Sequence, residues 1–188
     1  MRIEFLLEEP SMANVLVEIL PRILPHEFVL NTNYFLRPHQ GKGDLKKSIP
    51  KKVRAFSNTS EEVRIVILHD QDSEDCKELK KQIQTLCSQN GSCSTLIRIV
   101  CKELEAWYLG DMDAIQKVYP RFKPNNHRNV SKFRNPDICN ASDELQKMIP
   151  DFQKGYASRE ISKHLNIEEN HSESFNQFRD GIRKFLAS

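Results

Sequence analysis

The stretch RIVILHDQDSEDC, residues 64–76, decides how this chain folds. Residues 63–68 are apolar except for Arg64 and rich in β-branched side chains, which predicts a buried strand. The run ends at Asp70, and Asp72, Glu74 and Asp75 follow at once. Carboxylates crowded at a strand end repel one another. Either a cation holds them, or they belong to a solvated turn that enters a helix. Cys76, Leu79, Ile83 and Leu86 recur at helical period just beyond. Acids are favoured at a helix N-terminus by its dipole, so Glu74 and Asp75 are assigned to that helix. Asp70 and Asp72 are the candidates for a cation, because alternate residues of an extended chain share a face.

The same grammar extends outward on both sides. Residues 3–7 predict a strand. Pro10 and Ser11 open a helix, with Ser11 as its cap and Val15, Leu16, Ile19 and Leu20 as its apolar face. Residues 28–30 predict a weaker strand, and residues 41–43 a turn. Leu45, Ile49, Val53 and Phe56 follow at helical spacing, kinked or restarted at Pro50. After the turn at Asn90 and Gly91, residues 95–100 predict a strand and residues 103–109 a helix. Strand and helix alternating in this way predict a mostly parallel, four-stranded α/β sheet flanked by helices, a Rossmann-like doubly wound sandwich. Past residue 111 no strand pattern appears. Residues 1–111 are read as the α/β domain and residues 112–188 as a helical extension packed on it. Its last helix carries the stripe Phe175, Phe178, Ile182, Phe185 and Leu186.

A chain of 188 residues, 38% hydrophobic and 29% charged, has the composition of one globular domain with a real core. The net charge of +2 names no partner. The five cysteines are odd in number and form no CxxC pair, which argues against a disulfide framework or a zinc knuckle. The N-terminal apolar run is too short for a signal peptide, and no stretch approaches a membrane span. A cytoplasmic protein with reduced thiols and no membrane contact is expected.

In open parallel sheets ligands bind at the carboxyl ends of the strands. Glu8 and Glu9 end the first predicted strand, Asp70 and Asp72 the strongest one, and Glu103 and Glu105 follow the last. Oxygen-only ligands of this kind suit Mg²⁺ or Mn²⁺. Two basic stretches flank these acids: Lys42, Lys46, Lys47, Lys51, Lys52 and Arg54, then Arg121, Lys123, Arg128, Lys132 and Arg134. A phosphate-backbone binder needs such charge, although a solvated surface also carries it. GKGD lacks the spacing and the Lys-Ser/Thr ending of a phosphate loop. Trp107 falls at helical spacing with Leu104 and Tyr108 and is read as core. His69 is expected to point away from Asp70.

A glutamate ending the first strand, with an Asp-X-Asp ending a later one, resembles the Toprim domain of topoisomerases, bacterial primases and some nucleases. FLLEEPS, QGKGDLKK, RIVILHDQDSEDC, ELEAWYLGD and SFNQFRDGIRKF resemble, more closely, a family of small Toprim-like proteins of unknown function encoded beside AAA- or ABC-type ATPases, some in phage-defence settings. The resemblance implies Glu8 as a general acid/base that reaches metal, and Asp70 and Asp72 as the metal pair. Either Glu103 or Glu105 could complete the set. Two positions depart from the Toprim pattern: Glu9 stands where glycine is usual, and no glycine follows the Asp-X-Asp. The expected activity is Mg²⁺- or Mn²⁺-dependent phosphodiester hydrolysis of DNA or RNA. Two alternatives stay open. One is a non-catalytic subunit that binds an ATPase or nucleic acid. The other is a phosphatase with Asp70 as nucleophile, although that chemistry normally uses the first strand.

Overall fold

The computed structural model describes residues 1–187. Its sheet has four strands, all parallel: β1 (Arg2–Leu7), β2 (Tyr34–Pro38), β3 (Val63–Asp70) and β4 (Ser94–Val100), in the order β2-β1-β3-β4. Helices α1 (Pro10–Ile23), α2 (Lys42–Ser57) and α3 (Cys76–Ser88) make the crossovers. Then follow α4 (Glu105–Leu109), α5 (Met112–Val118), α6 (Ala141–Met148), α7 (Lys154–Glu160) and α8 (Glu173–Ala187). The fold is Rossmann-like, as the alternation of patterns predicts, with every strand pair parallel.

Strand pleating divides the core in two. Ile3, Phe5, Leu7, Val66, Leu68 and Val100 face α1 and the C-terminal helices. Leu6, Ile65, Ile67 and Ile97 face α2 and α3. The central strand β3 is therefore buried on both faces, which explains its unbroken apolar run. One exception is Glu4, wholly buried in β1 between Arg2 at 3.1 Å and Arg37 at 2.9 Å. The helices after residue 111 have no separate core: the first cluster runs continuously from Ile3 to Ile182.

Three local expectations are corrected. The second strand is Tyr34–Pro38 rather than residues 28–30; Leu30 makes only an isolated bridge to Tyr34. Residues 29–33 turn instead, with Asn31 at φ 61° and the Asn33 side chain bonded to Val29 N and Glu27 O. Ser11 does not cap α1. Pro10, preorganised for a first helical position, starts the helix earlier, Glu9 takes the cap position, and the Ser11 hydroxyl donates to the Glu9 carboxylate. Pro50 does not break α2. It removes the hydrogen bond back to the Lys46 carbonyl, but Leu45, Ile49 and Val53 hold the helix to the sheet through that turn. In the C-terminal part, α7 gives way to a 3-10 turn at Ile161–Lys163, and Leu165 beyond it is buried.

Candidate functional site

From β1 the chain crosses to β2 on one side and later to β3 on the other, so the topological switch point lies between β1 and β3. In open parallel sheets ligands bind at such a point, beyond the carboxyl ends of the strands. Glu8 is the first residue after β1 and Asp70 the last of β3. Glu8 Oε2 accepts from the Asp70 backbone N–H at 2.9 Å and lies 2.8 Å from His69 Nδ1. His69 Nδ1 is also 2.5 Å from the Asp70 carbonyl oxygen. Oxygens on both sides of Nδ1 place a proton on that nitrogen. By alternation the His69 side chain leaves β3 on the face opposite the Asp70 side chain, and there it meets Glu8. Its Nε2 is buried without a hydrogen-bond partner. His39, next after β2, donates its backbone N–H to the Leu7 carbonyl at 2.9 Å and closes the same edge.

On the opposite face of β3, Asp70 meets a second group. Its side chain is buried and Oδ1 has no hydrogen-bond partner. Burial, reinforced by Glu8, Glu9 and Glu105, pushes its carboxyl well above the usual range, against the pull of Lys154. Glu105 opens α4, is wholly buried, and finds a hydrogen bond for neither carboxylate oxygen. Burial raises it too, with Lys154 opposing. Lys154, the first residue of α7, sets its Nζ 2.8 Å from Glu9 Oε1 and 3.5 Å from Glu105 Oε1. Burial disfavours its charge, but Glu105, Glu9 and Asp70 together outweigh that and hold the ammonium above its ordinary value. Tyr108 lies beneath them, wholly buried and raised by burial and by Glu105, Glu9 and Asp70. Ser162 is near enough to oppose that rise, yet the Tyr108 hydroxyl meets no partner at hydrogen-bond geometry.

The structure brings Glu8, Asp70 and Glu105 to one edge and turns Asp72 and Glu103 elsewhere. Side-chain alternation holds only while the chain stays extended, and β3 ends at Asp70. Gln71 N then bonds Val100 O, and Asp72 takes a left-handed φ of 52° with its N–H on Lys102 O. Its half-exposed carboxylate pairs with Lys42 at 3.3 Å. Glu103 Oε1 accepts from Ser142 N at 2.9 Å, at the start of α6. Asp72 and Glu103 line a separate hollow of about 280 Å³ with Lys102 and Asp143. Asp75 caps α3, accepting from Lys77 N at 2.9 Å and Glu78 N at 3.0 Å, as expected; Glu74 instead pairs with Lys42 and Lys46.

The first basic stretch borders this edge through Lys42 and Lys46, while Lys47, Lys51 and Lys52 continue along α2. In the second, Arg128 pairs with Asp113 and Lys132 with Glu144. Arg134 is exposed and, with Arg128 and His171, lines a cavity of about 490 Å³ beside α5.

ELEAWYLGD is a structural as well as a chemical element. Trp107 packs on Phe175 and Phe178 of α8, and Asp111 caps α5 by accepting from Ala114 N. Gly110 admits no side chain, because a Cβ there would lie 2.0 Å from Asn170 Oδ1 and 2.8 Å from Ser172 N. Lys154 is the residue that sequence reading missed. Within PDFQKGY nothing distinguishes it from a surface lysine, and only the return of α7 onto α1 brings it to the acids.

Among the described residues, no three His, Cys, Asp or Glu side chains stand around one point at metal-ligand geometry. The donor chemistry nevertheless fits a hard cation. Asp70 Oδ1 and both Glu105 oxygens are buried acceptors without a hydrogen-bond donor, and oxygen-only sets of this kind suit Mg²⁺ or Mn²⁺.

Fold and site define a doubly wound α/β protein with a buried cluster of acids at its switch point. The chain belongs to the family described as a domain of unknown function, DUF4276, whose model matches residues 7–183. Neither a curated protein nor a solved structure matches it. Among the described residues no helix is long and apolar enough to cross a membrane.

The burial of Asp70 has a thermodynamic consequence. Asp70 binds its proton more tightly folded than unfolded, so the stability this confers is complete below its ordinary value of 3.8 and is lost as pH rises through the elevated folded value. Asp70→Asn removes the charge and keeps the shape. The variant is expected to melt higher than wild type, with the gap widening as pH rises above 3.8 and levelling off once Asp70 has ionised. Differential scanning calorimetry across that range checks this; a gap constant with pH would refute the assignment.

Proposed function

We propose that this protein is a Mg²⁺- or Mn²⁺-dependent phosphodiesterase of Toprim type that cleaves nucleic acid. The observation that carries this reading is Asp70, a buried carboxylate with an unpartnered oxygen at the switch point, flanked by Glu8 and Glu105. Asp70 and Glu105 would hold the cation. When bound, it would stabilise charge on the phosphate and lower the pKa of an attached water. Glu8, poised between His69 and the Asp70 N–H, is oriented as the proton-handling carboxylate. Lys42 and Lys46 at the start of α2 offer positive charge for a phosphate backbone near these acids, and Lys47 and Lys51 continue it along the helix. The resemblance supplies the rest: an AAA- or ABC-type ATPase partner, a phage-defence setting and a cytoplasmic location.

The experiment is incubation of the pure protein with single- and double-stranded DNA and with RNA in Mn²⁺ or Mg²⁺. Cleavage is expected, abolished by chelator and reduced about 10²-fold or more in Asp70→Asn. Unchanged cleavage by Asp70→Asn would remove the assigned site. A non-catalytic, partner-binding role is favoured by one observation. Glu8 is already bonded and Asp72 is paired with Lys42, so two of the three expected ligands are engaged. Under that reading no divalent cation alters the protein's melting temperature.

A further inference from the structure

The ammonium of Lys154 stands where a cation of this site would stand. Glu9, Asp70 and Glu105 reach the region from three separate segments, and the lysine is set among them from a fourth. Its contacts are unequal. The Glu9 pair, at 2.8 Å, is a close ion pair within hydrogen-bonding distance. The Glu105 pair, at 3.5 Å, satisfies neither Glu105 oxygen, although that side chain has no exposure to water at all. A buried carboxylate in that state is costly, and one ammonium serves three carboxylates poorly. A divalent ion with several oxygen ligands would serve them better.

The two sides of the pair also differ in freedom. Glu105 is fixed: wholly buried at the start of a short helix pinned by Trp107. The Lys154 side chain is 40% exposed on a flexible four-carbon stem, and it comes from the first residue of α7. The body of that helix is held independently by the Asn14–Ser158 hydrogen bond at 3.0 Å and by buried Ala157. Lys154 can therefore swing into solvent while the fold stays intact.

We propose that Lys154 is a resident counter-ion that competes with a divalent cation for Glu9, Asp70 and Glu105, and that the cation binds by displacing it. This rests on the cation site proposed above and adds its regulation. It also gives Glu9 a role. The position that departs from the Toprim pattern holds the lysine while the cation is absent and serves as an oxygen ligand when it is present.

Two experiments test this. The first is Mn²⁺ titration by calorimetry of the wild type, Lys154→Met and Lys154→Arg. Lys154→Met is expected to bind about tenfold tighter than wild type or better. Lys154→Arg, which keeps the charge, is expected to stay within a few-fold of it, and Glu105→Gln to lose affinity in either background. Equal or weaker binding by a folded Lys154→Met overturns the competition while leaving the cation site standing. Absence of Mn²⁺ binding in every variant overturns both. The second experiment reads wild-type protein, with Asp70→Asn as its control. Acetylation of Lys154 is followed by mass spectrometry with and without Mg²⁺. Labelling is expected to accelerate several-fold when the cation is added and not in Asp70→Asn. A rate indifferent to Mg²⁺ overturns the proposal.

Discussion

Trp107→Ala is expected to destabilise the protein by about 3–5 kcal/mol, enough to leave much of the chain unfolded at physiological temperature. Trp107 is wholly buried. Its ring meets Phe175 edge-on at 5.2 Å between centroids and Phe178 at 5.2 Å with a 38° tilt. Its Nε1 donates to Ser174 Oγ at 3.0 Å, and its carbonyl accepts from Asn170 Nδ2 at 3.0 Å. A five-residue helix such as α4 has no stability of its own, so these contacts are what hold it to α8. Glu105, two residues earlier, is positioned by the same helix, so the site fails with it. Trp107→Phe keeps most of the packing and loses the indole hydrogen bond, and is expected to cost about 1–2 kcal/mol. Urea denaturation followed by circular dichroism measures both, since the variants remove the chain's single tryptophan. A loss below about 1 kcal/mol in Trp107→Ala would show that α4 is held by something else.

Asp137→Ala is expected to cost about 3 kcal/mol. The carboxylate is buried on the 3-10 turn Pro136–Ile138 and accepts three hydrogen bonds: Ser172 Oγ at 2.7 Å, Ser174 N at 2.9 Å and Ser174 Oγ at 3.1 Å. Ser172 Oγ in turn accepts from Phe175 N at 3.1 Å. Asp137 thus satisfies the start of α8, where backbone N–H groups lack helical partners. Removing it strands a backbone donor and two hydroxyls in the interior. Asp137→Asn retains one side-chain oxygen and is expected to lose less than half as much. The two variants, compared by urea denaturation, separate loss of charge from loss of the acceptor; equal losses would point to charge alone.

Both residues show what kind of signal a sequence carries. Trp107 was legible as core because its neighbours repeat at helical spacing. Asp137 was not, because an Asp after Asn-Pro reads as an ordinary turn until α8 returns to lie over it. The same contrast runs through the candidate site. Asp70 and Glu8 could be picked out, since strand ends in a parallel sheet converge whatever follows them. Asp72 and Glu103 look equivalent to Asp70 and Glu105 on the page. They differ only because the backbone at Asp72 turns left-handed and because α6 starts within reach of Glu103.

The sequence by itself determined the parallel α/β architecture, because strand and helix periods are local and each apolar run must be buried on the faces its pattern presents. It also determined that acids gather at one edge, because they follow the strands. Only the tertiary structure decided which acids stand together and what cation stands among them. Lys154 reaches Glu9 and Glu105 through the path of the whole C-terminal part, and long-range contact of that kind leaves no period in the chain to read.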